Sequence, residues 1–201
     1  IYSIEKFLMA RRLMYWQAYL HKTSVVSEII LMNILKRAKE LTHNGIILNC
    51  SEPLQFFLNH KISLDNFDSK ILQTFSYLDD FDVMSAIKNW QFHDDFVLSK
   101  LSKMIINRDL LKIQMMNDKP KKASLLPYKE KFNLKYNLTD NETDYFIFKG
   151  KIKNQAYNKE SEPIRILKKD GSVEDVALAS DQLNLKALSK PVTKYFICYP
   201  K

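Results

Sequence analysis

A chain of 201 residues with 46% hydrophobic and 27% charged residues can bury a core of its own without covalent staples. Only three glycines and six prolines favour helix over loop, and two cysteines exclude a disulfide framework and a thiolate zinc site. The formal net charge of +8 favours an anionic partner, and no apolar run is long enough to span a bilayer.

From Ile4 to about Leu41 apolar residues recur at helical spacing (Ile4, Leu8, Met14, Ala18, Val25, Ile29, Met32, Leu35). This predicts one long or gently broken helix ending near Gly45, with Thr23 and Ser24 as its soft point. Further helices are predicted from Pro53 to about Asn59, Asp68 to Tyr77, Asp80 to Trp90 and Asp94 to about Met116, several opened by an Asp that can cap. Lys119, Pro120, Lys121 and Lys122 form a basic break, which places a boundary near residue 119. Beyond it, Pro127 to Tyr136 reads as a short helix and Thr139-x-x-Glu142 as a capping box. Strand character follows at Tyr145 to Ile152, Ile164 to Lys168, Val173 to Ala177 and Tyr195 to Tyr199, with Asp170-Gly171 as a type I′ hairpin signal. The expected fold is a mainly α helical body over 1–118, then a basic linker and a small C-terminal α+β appendage of antiparallel strands over 119–201. The chain opens on Ile1 rather than Met, in the approach to a helix, so residues are expected upstream.

QFHDDFVLS, residues 91 to 99, contains a His93-Asp94 pair of the kind that names the HD metal-dependent phosphohydrolases. A metal centre acting on phosphate esters needs several His and Asp ligands from different helices, with positions left open for water and substrate. The histidines are His21, His43, His60 and His93, and a set such as His60, His93, Asp94 and Asp140 has no spacing to recommend it. Asp94 and Asp95 read better as a helix start, where carboxylates meet free amides and the positive end of the dipole. No metal ligand is therefore assigned in this chain.

ARRLMYWQAYLHK, residues 10 to 22, is more informative, because Arg11, Tyr15, Tyr19 and Lys22 are spaced to share one helix face. A guanidinium, two phenols and an ammonium suit a nucleotide polyphosphate: Arg forks onto phosphate oxygens, Lys adds a point charge, and a Tyr ring stacks on a base or sugar. By spacing alone, a helix whose aromatics are core and whose cations pair with acids elsewhere accounts for the pattern better.

The same stretch resembles R-x-x-x-H-x-x-x-Y-Q-H-K of the dNTP triphosphohydrolases of the HD superfamily, the group that includes SAMHD proteins and bacterial dGTPase-like enzymes. Arg11, Tyr19, His21 and Lys22 match, while Tyr15 replaces a His and Leu20 a Gln. Arg108-x-Leu110-x-Lys112 resembles the family's R-x-L-F-K segment, and DDFDVMSAIKNWQFHDD has the look of bacterial HD phosphohydrolases. The resemblance implies hydrolysis of a deoxynucleoside triphosphate to deoxynucleoside and triphosphate by metal-activated water. It implies substrate contacts at Arg11, Tyr15 and Tyr19, with the family His role put in question at Tyr15. It also implies a regulatory nucleotide site between subunits at His21, Lys22, Arg108 and Lys112. In that family the metal ligands lie upstream of the matched helix, so the divalent metal and catalytic residues of the full-length protein are expected before Ile1. This chain would be the C-terminal portion and inactive alone.

The expected partners are a dNTP-like nucleotide and other copies of the chain, in a reducing cytoplasm that suits two unpaired cysteines. The alternative is a non-enzymatic binding module, with Lys119 to Lys122, Lys129, Lys131 and Lys135 touching nucleic acid or protein. A solvated linker explains that cluster more simply.

Overall fold

Helix α1 (Tyr2–Met14) runs into a single π turn over Tyr15–Tyr19, and the helical path stops at Leu20, whose φ and ψ are −100° and 16°. The computed structural model describes residues 1–154, 157, 163–180 and 191–201. After the break come α2 (Lys22–His43), α3 (Glu52–Asn59), a 3-10 turn over Leu64–Asn66, α4 (Ser69–Ser76), α5 (Asp80–Trp90) and α6 (Phe96–Ile106). Strand β1 (Lys112–Met116) precedes α7 (Leu126–Tyr136) and α8 (Asp140–Thr143), and β2 (Phe148–Asn154), β3 (Arg165–Leu167), β4 (Val173–Asp175), α9 (Val176–Ala179) and β5 (Val192–Tyr199) complete the described order. The fold is mainly helical with a small antiparallel sheet component, as the sequence predicts.

The long first helix is broken at Leu20-His21, just before the predicted soft point. The wide turn is closed by the Leu20 N–H donating to the Tyr15 carbonyl at 2.7 Å, five residues back. His21 then starts α2: its carbonyl accepts from the Val25 N–H at 3.0 Å, and its Nδ1 accepts from the Thr23 N–H at 3.3 Å. Ser24 Oγ donates to the Ala18 carbonyl at 3.0 Å, satisfying one acceptor that the break leaves open.

The predicted helix from Asp94 to Met116 is shorter at both ends. Asp95 is its N-cap, accepting from the Leu98 N–H at 2.8 Å. Its C-terminus closes in a Schellman motif, with the Asp109 N–H bonded to the Met104 carbonyl at 3.0 Å and the Arg108 N–H to Ile105 at 3.3 Å. Arg108 takes the left-handed position with φ 55°, and the chain beyond it extends into β1. Strand β2 starts at Phe148 rather than Tyr145, because the Phe146 and Ile147 amides both donate to the Thr143 carbonyl at 2.9 Å. Residues Val176 and Ala177, predicted as strand, belong to α9, which Asp175 caps through the Ala177 N–H. The Asp170-Gly171 hairpin forms, but as a type I turn with a bulge: Gly171 has φ 82° while Asp170 does not share the positive φ that type I′ needs.

The chain forms two compact units. The first comprises Ile1–Val25, Ile113–Leu126 and Phe148–Cys198. Its sheet has the order β1-β5-β2, with β2 antiparallel to β5 in a register that sets Gly150 opposite Phe196 and Lys151 opposite Tyr195. Leu8, Tyr157, Val176 and Ala177 form a buried cluster with Ile4, Ile164 and Ile166 packed on it. The Tyr157 hydroxyl donates to Asp175 and accepts from the Ile164 N–H at 3.0 Å, while the buried Glu5 carboxylate receives the Ser180 hydroxyl.

The second unit comprises Val26–Lys112, Pro127–Ile147 and Tyr199–Lys201. Helix α2 supplies a buried stripe at Val26, Ile30, Ile34, Ala38 and Leu41, the spacing that one helix face requires. Val97, Leu98 and Leu101 of α6 and Ile87 and Trp90 of α5 are equally buried. Phe96, Phe132, Tyr136 and Phe146 meet with ring centroids 4.8 to 6.1 Å apart. Asp68 caps α4 and Thr139 and Glu142 form the capping box of α8, as the sequence predicts, whereas α5 is capped by Asp79, one residue before the Asp80 that opens it.

Candidate functional site

Of the four residues expected to share one helix face, Arg11, Tyr15 and Tyr19 do so, and Lys22 does not. The Arg11 guanidinium carbon lies 5.5 Å from the centre of the Tyr15 ring, and the Tyr15 and Tyr19 rings are 5.1 Å apart, tilted by 54°. Arg11 leaves α1 within its last turn, whereas Tyr15 and Tyr19 bound the π turn, and the two rings lie side by side, tilted to one another. Together with Phe7, Ala10 and Met14 they line an open recess of about 650 Å³ with largely apolar walls. A guanidinium at the edge of an aromatic, apolar trough can hold an anion while the rings cover the flat part of the same ligand. Sequence reasoning missed Phe7 and Met14, although Phe7 stands four residues before Arg11 and Met14 three after it, the spacing of neighbours on a helix.

Lys22 and His21 are separated from this trough by the helix break: both are exposed at the start of α2, and neither lines the recess. His21 Nδ1 is already an acceptor for the Thr23 amide, which leaves Nε2 as the nitrogen open to a ligand. In the second unit Arg108 is exposed at the left-handed cap of α6, and Lys112 lines a concave surface together with lysines of α6 and α7.

The His-Asp pair has other work. His93 Nδ1 accepts from the Asp95 N–H at 2.9 Å, Asp94 is exposed, and Asp95 is gripped by Arg37. His60 stacks on Phe56 with centroids 4.4 Å apart, and Asp140 accepts from Asn133 Nδ2 at 3.0 Å. Among the described residues no group of three or more His, Cys, Asp or Glu side chains stands where it could hold a metal ion.

The basic set 119–135 is divided between the units: Lys119 to Lys122 belong to the first and Lys129, Lys131 and Lys135 to the second. Lys129 pairs with Asp144, so it is not available as an unpaired cation. Among the described residues no helix is long and apolar enough to cross a membrane.

No family model matches the chain. It is 25% identical over 210 residues to the uncharacterized protein YwfO of Bacillus subtilis, a match that takes in 100% of this chain and 45% of that protein. Among solved structures it is similar to that of a phosphohydrolase from Bacteroides thetaiotaomicron, with a TM-score of 0.88 and 41% identity, over 100% of this chain and 50% of that one. The chain thus spans about half the length of the proteins it matches.

Proposed function

We propose that this chain is part of a phosphohydrolase of the HD type that acts on deoxynucleoside triphosphates, and that it supplies a substrate-binding wall rather than the metal centre. The observation that carries the reading is the similarity along the whole chain to a phosphohydrolase, at 41% identity. The Arg11-Tyr15-Tyr19 trough supports the substrate class, because it pairs an anion-binding guanidinium with two rings that can cover a sugar or base. In this reading Arg11 contacts the phosphates, Tyr19 lies under the sugar, and Tyr15 holds the Arg11 plane by a cation–π contact.

The described residues do not fit a metal. The divalent ion that such hydrolysis uses to activate water would be held by residues other than those described. Association into an oligomer, with His21, Lys22, Arg108 and Lys112 touching a regulatory nucleotide, belongs to the same proposal.

The test is steady-state hydrolysis of dNTPs by the intact protein, read as deoxynucleoside released. Arg11→Ala is expected to lower kcat/KM by about tenfold or more while the melting temperature stays near wild type. Unchanged kinetics would remove Arg11 from the site, and absence of dNTP hydrolysis with hydrolysis of another phosphate ester would move the substrate class.

A further inference from the structure

Helices α4 and α5 each carry more apolar surface than the fold covers. On α4 only Ile71 is buried, and the apolar stripe that starts there continues through Phe75 to Leu72, both exposed. On α5 Ala86, Ile87 and Trp90 are buried, while Met84 and Phe81 extend the stripe toward solvent, Phe81 being 83% exposed. Phe67 and Tyr77, which flank α4, are exposed as well. The Phe57 ring of α3 meets that of Phe75 edge-on with centroids 6.0 Å apart, so the face is continuous with α3. All of these residues belong to the second unit. Large apolar side chains exposed one at a time are ordinary, whereas a run of them over residues 67–84 marks a surface that meets another molecule.

The charge around this face is negative, on a chain whose net charge is +8. Between residues 62 and 87 stand five aspartates, Asp65, Asp68, Asp79, Asp80 and Asp82, against Lys70 alone. Asp68 and Asp79 cap α4 and α5, and Asp82 completes the α5 capping box, which pins three of the carboxylates at helix starts. None of the five has a cationic partner within salt-bridge distance among the described residues.

An apolar face with unneutralised carboxylates beside it suits a helix whose own apolar stripe runs between lysines or arginines, with hydrophobic contact supplying affinity and charge selecting the partner. A second copy of the chain presenting the same face would set aspartates against aspartates, which like-charge repulsion disfavours.

We propose that the α4–α5 face docks a basic amphipathic helix of a partner protein. Leu72, Phe75 and Phe81 take the apolar stripe, and Asp65 and Asp80, which make no cap bond, meet its cations. The inference goes beyond the proposed hydrolytic function and does not depend on it.

Fluorescence anisotropy of the intact protein with labelled model helices tests the assignment. One peptide is built of leucine and lysine at amphipathic spacing, a second of leucine and glutamate at the same spacing, and a third has the composition of the first in scrambled order. Saturable binding of the leucine-lysine helix is expected, about tenfold or more tighter than that of either control. Phe75→Ser/Phe81→Ser is expected to weaken it about tenfold or more, and Asp65→Asn/Asp80→Asn to weaken it and flatten its salt dependence. Should the phenylalanine double variant fail to fold, Phe81→Ser alone, at a position 83% exposed, and the aspartate variant carry the test. Equal binding of the three peptides, or binding that the surface variants retain, would overturn the proposal. So would absence of saturable binding, the result expected of a face covered by the rest of the intact protein. A fall in the sedimenting mass of the intact protein in Phe81→Ser would make the face a contact between copies and overturn it equally.

Discussion

Arg37 of α2 grips Asp95 with two hydrogen bonds, Nη2 to Oδ2 at 2.6 Å and Nε to Oδ1 at 3.1 Å. The same carboxylate caps α6 through the Leu98 amide, so one side chain fixes both where α6 begins and what it meets on α2. Burial raises the Asp95 carboxyl, but Arg37 and the Leu98 amide outweigh it and hold the group below the usual carboxylate range. A folded pKa below the unfolded one contributes stability that is present above the unfolded value and is lost as pH falls through the folded one. Arg37→Met is expected to cost about 3 kcal/mol at neutral pH by leaving Asp95 without its partner. Urea unfolding across the acid range should show the wild-type advantage shrinking below the usual carboxylate range; a constant difference down to the lowest pH would sink the explanation.

A second prediction concerns Arg108, which holds the left-handed cap of α6 with φ 55°. An L side chain is strained there, and glycine is not. Arg108→Gly is therefore expected to raise stability by roughly 0.5–1 kcal/mol in chemical denaturation, as the Schellman bonds from Arg108 and Asp109 are backbone bonds and survive. Destabilisation would show that the guanidinium makes a contribution larger than the strain.

These two sites also show what could be read from the sequence and what could not. Asp68 and Thr139 were legible as caps because short polar acceptors ahead of an apolar run have little else to do, and that is a local property. The end of α6 was misplaced because Leu110, Leu111, Ile113, Met115 and Met116 prolong an apolar pattern. Ile113, Met115 and Met116 belong to β1, whose partner is β5, some eighty residues later in sequence, and strand pairing at that separation leaves no local mark. The Arg11-Tyr15-Tyr19 face was legible because it lies on one helix. The concave surface that Lys112 lines with lysines of α6 and α7 was not, since its residues come from 100 to 201 and meet only through tertiary packing.

Gly150 offers a test of the sheet. It sits opposite Phe196 in the β2–β5 register, and a Cβ added there would overlap the Phe196 ring. The ring is 3% exposed and has no solvent side to move toward. Gly150→Ala is expected to destabilise the fold by about 1–3 kcal/mol, and Gly150→Ala/Phe196→Leu to be less destabilised than the sum of its two parts. Additive losses in a thermal-unfolding cycle would mean that the ring and the alanine do not compete for the same space.

Cys198 lies on the same strand as Phe196, wholly buried, and burial pushes its thiol up to about 12. Cys50 is half-buried, with its thiol raised by burial first and by Asp82 second. Because the thiolate is the reacting species, Cys198 is expected to resist a disulfide reagent in the native protein at mildly alkaline pH and to react once the chain is unfolded. Labelling followed by peptide mass analysis checks this; rapid native labelling at Cys198 would show that β5 opens without global unfolding.

His93 has a structural partner within the chain. Its Nδ1 accepts the Asp95 amide at 2.9 Å, so the ring supports the residue that caps α6 and meets Arg37, and Asp94 beside it is exposed. Removing the ring strands one half-buried amide, a loss of about 1 kcal/mol. His93→Ala in the intact protein is accordingly expected to lower the unfolding midpoint slightly while leaving any bound metal, by elemental analysis, and the proposed phosphohydrolase activity close to wild type. Loss of a stoichiometric metal ion in that variant would make His93 a ligand, with Asp94, its exposed neighbour, the first candidate to complete the site.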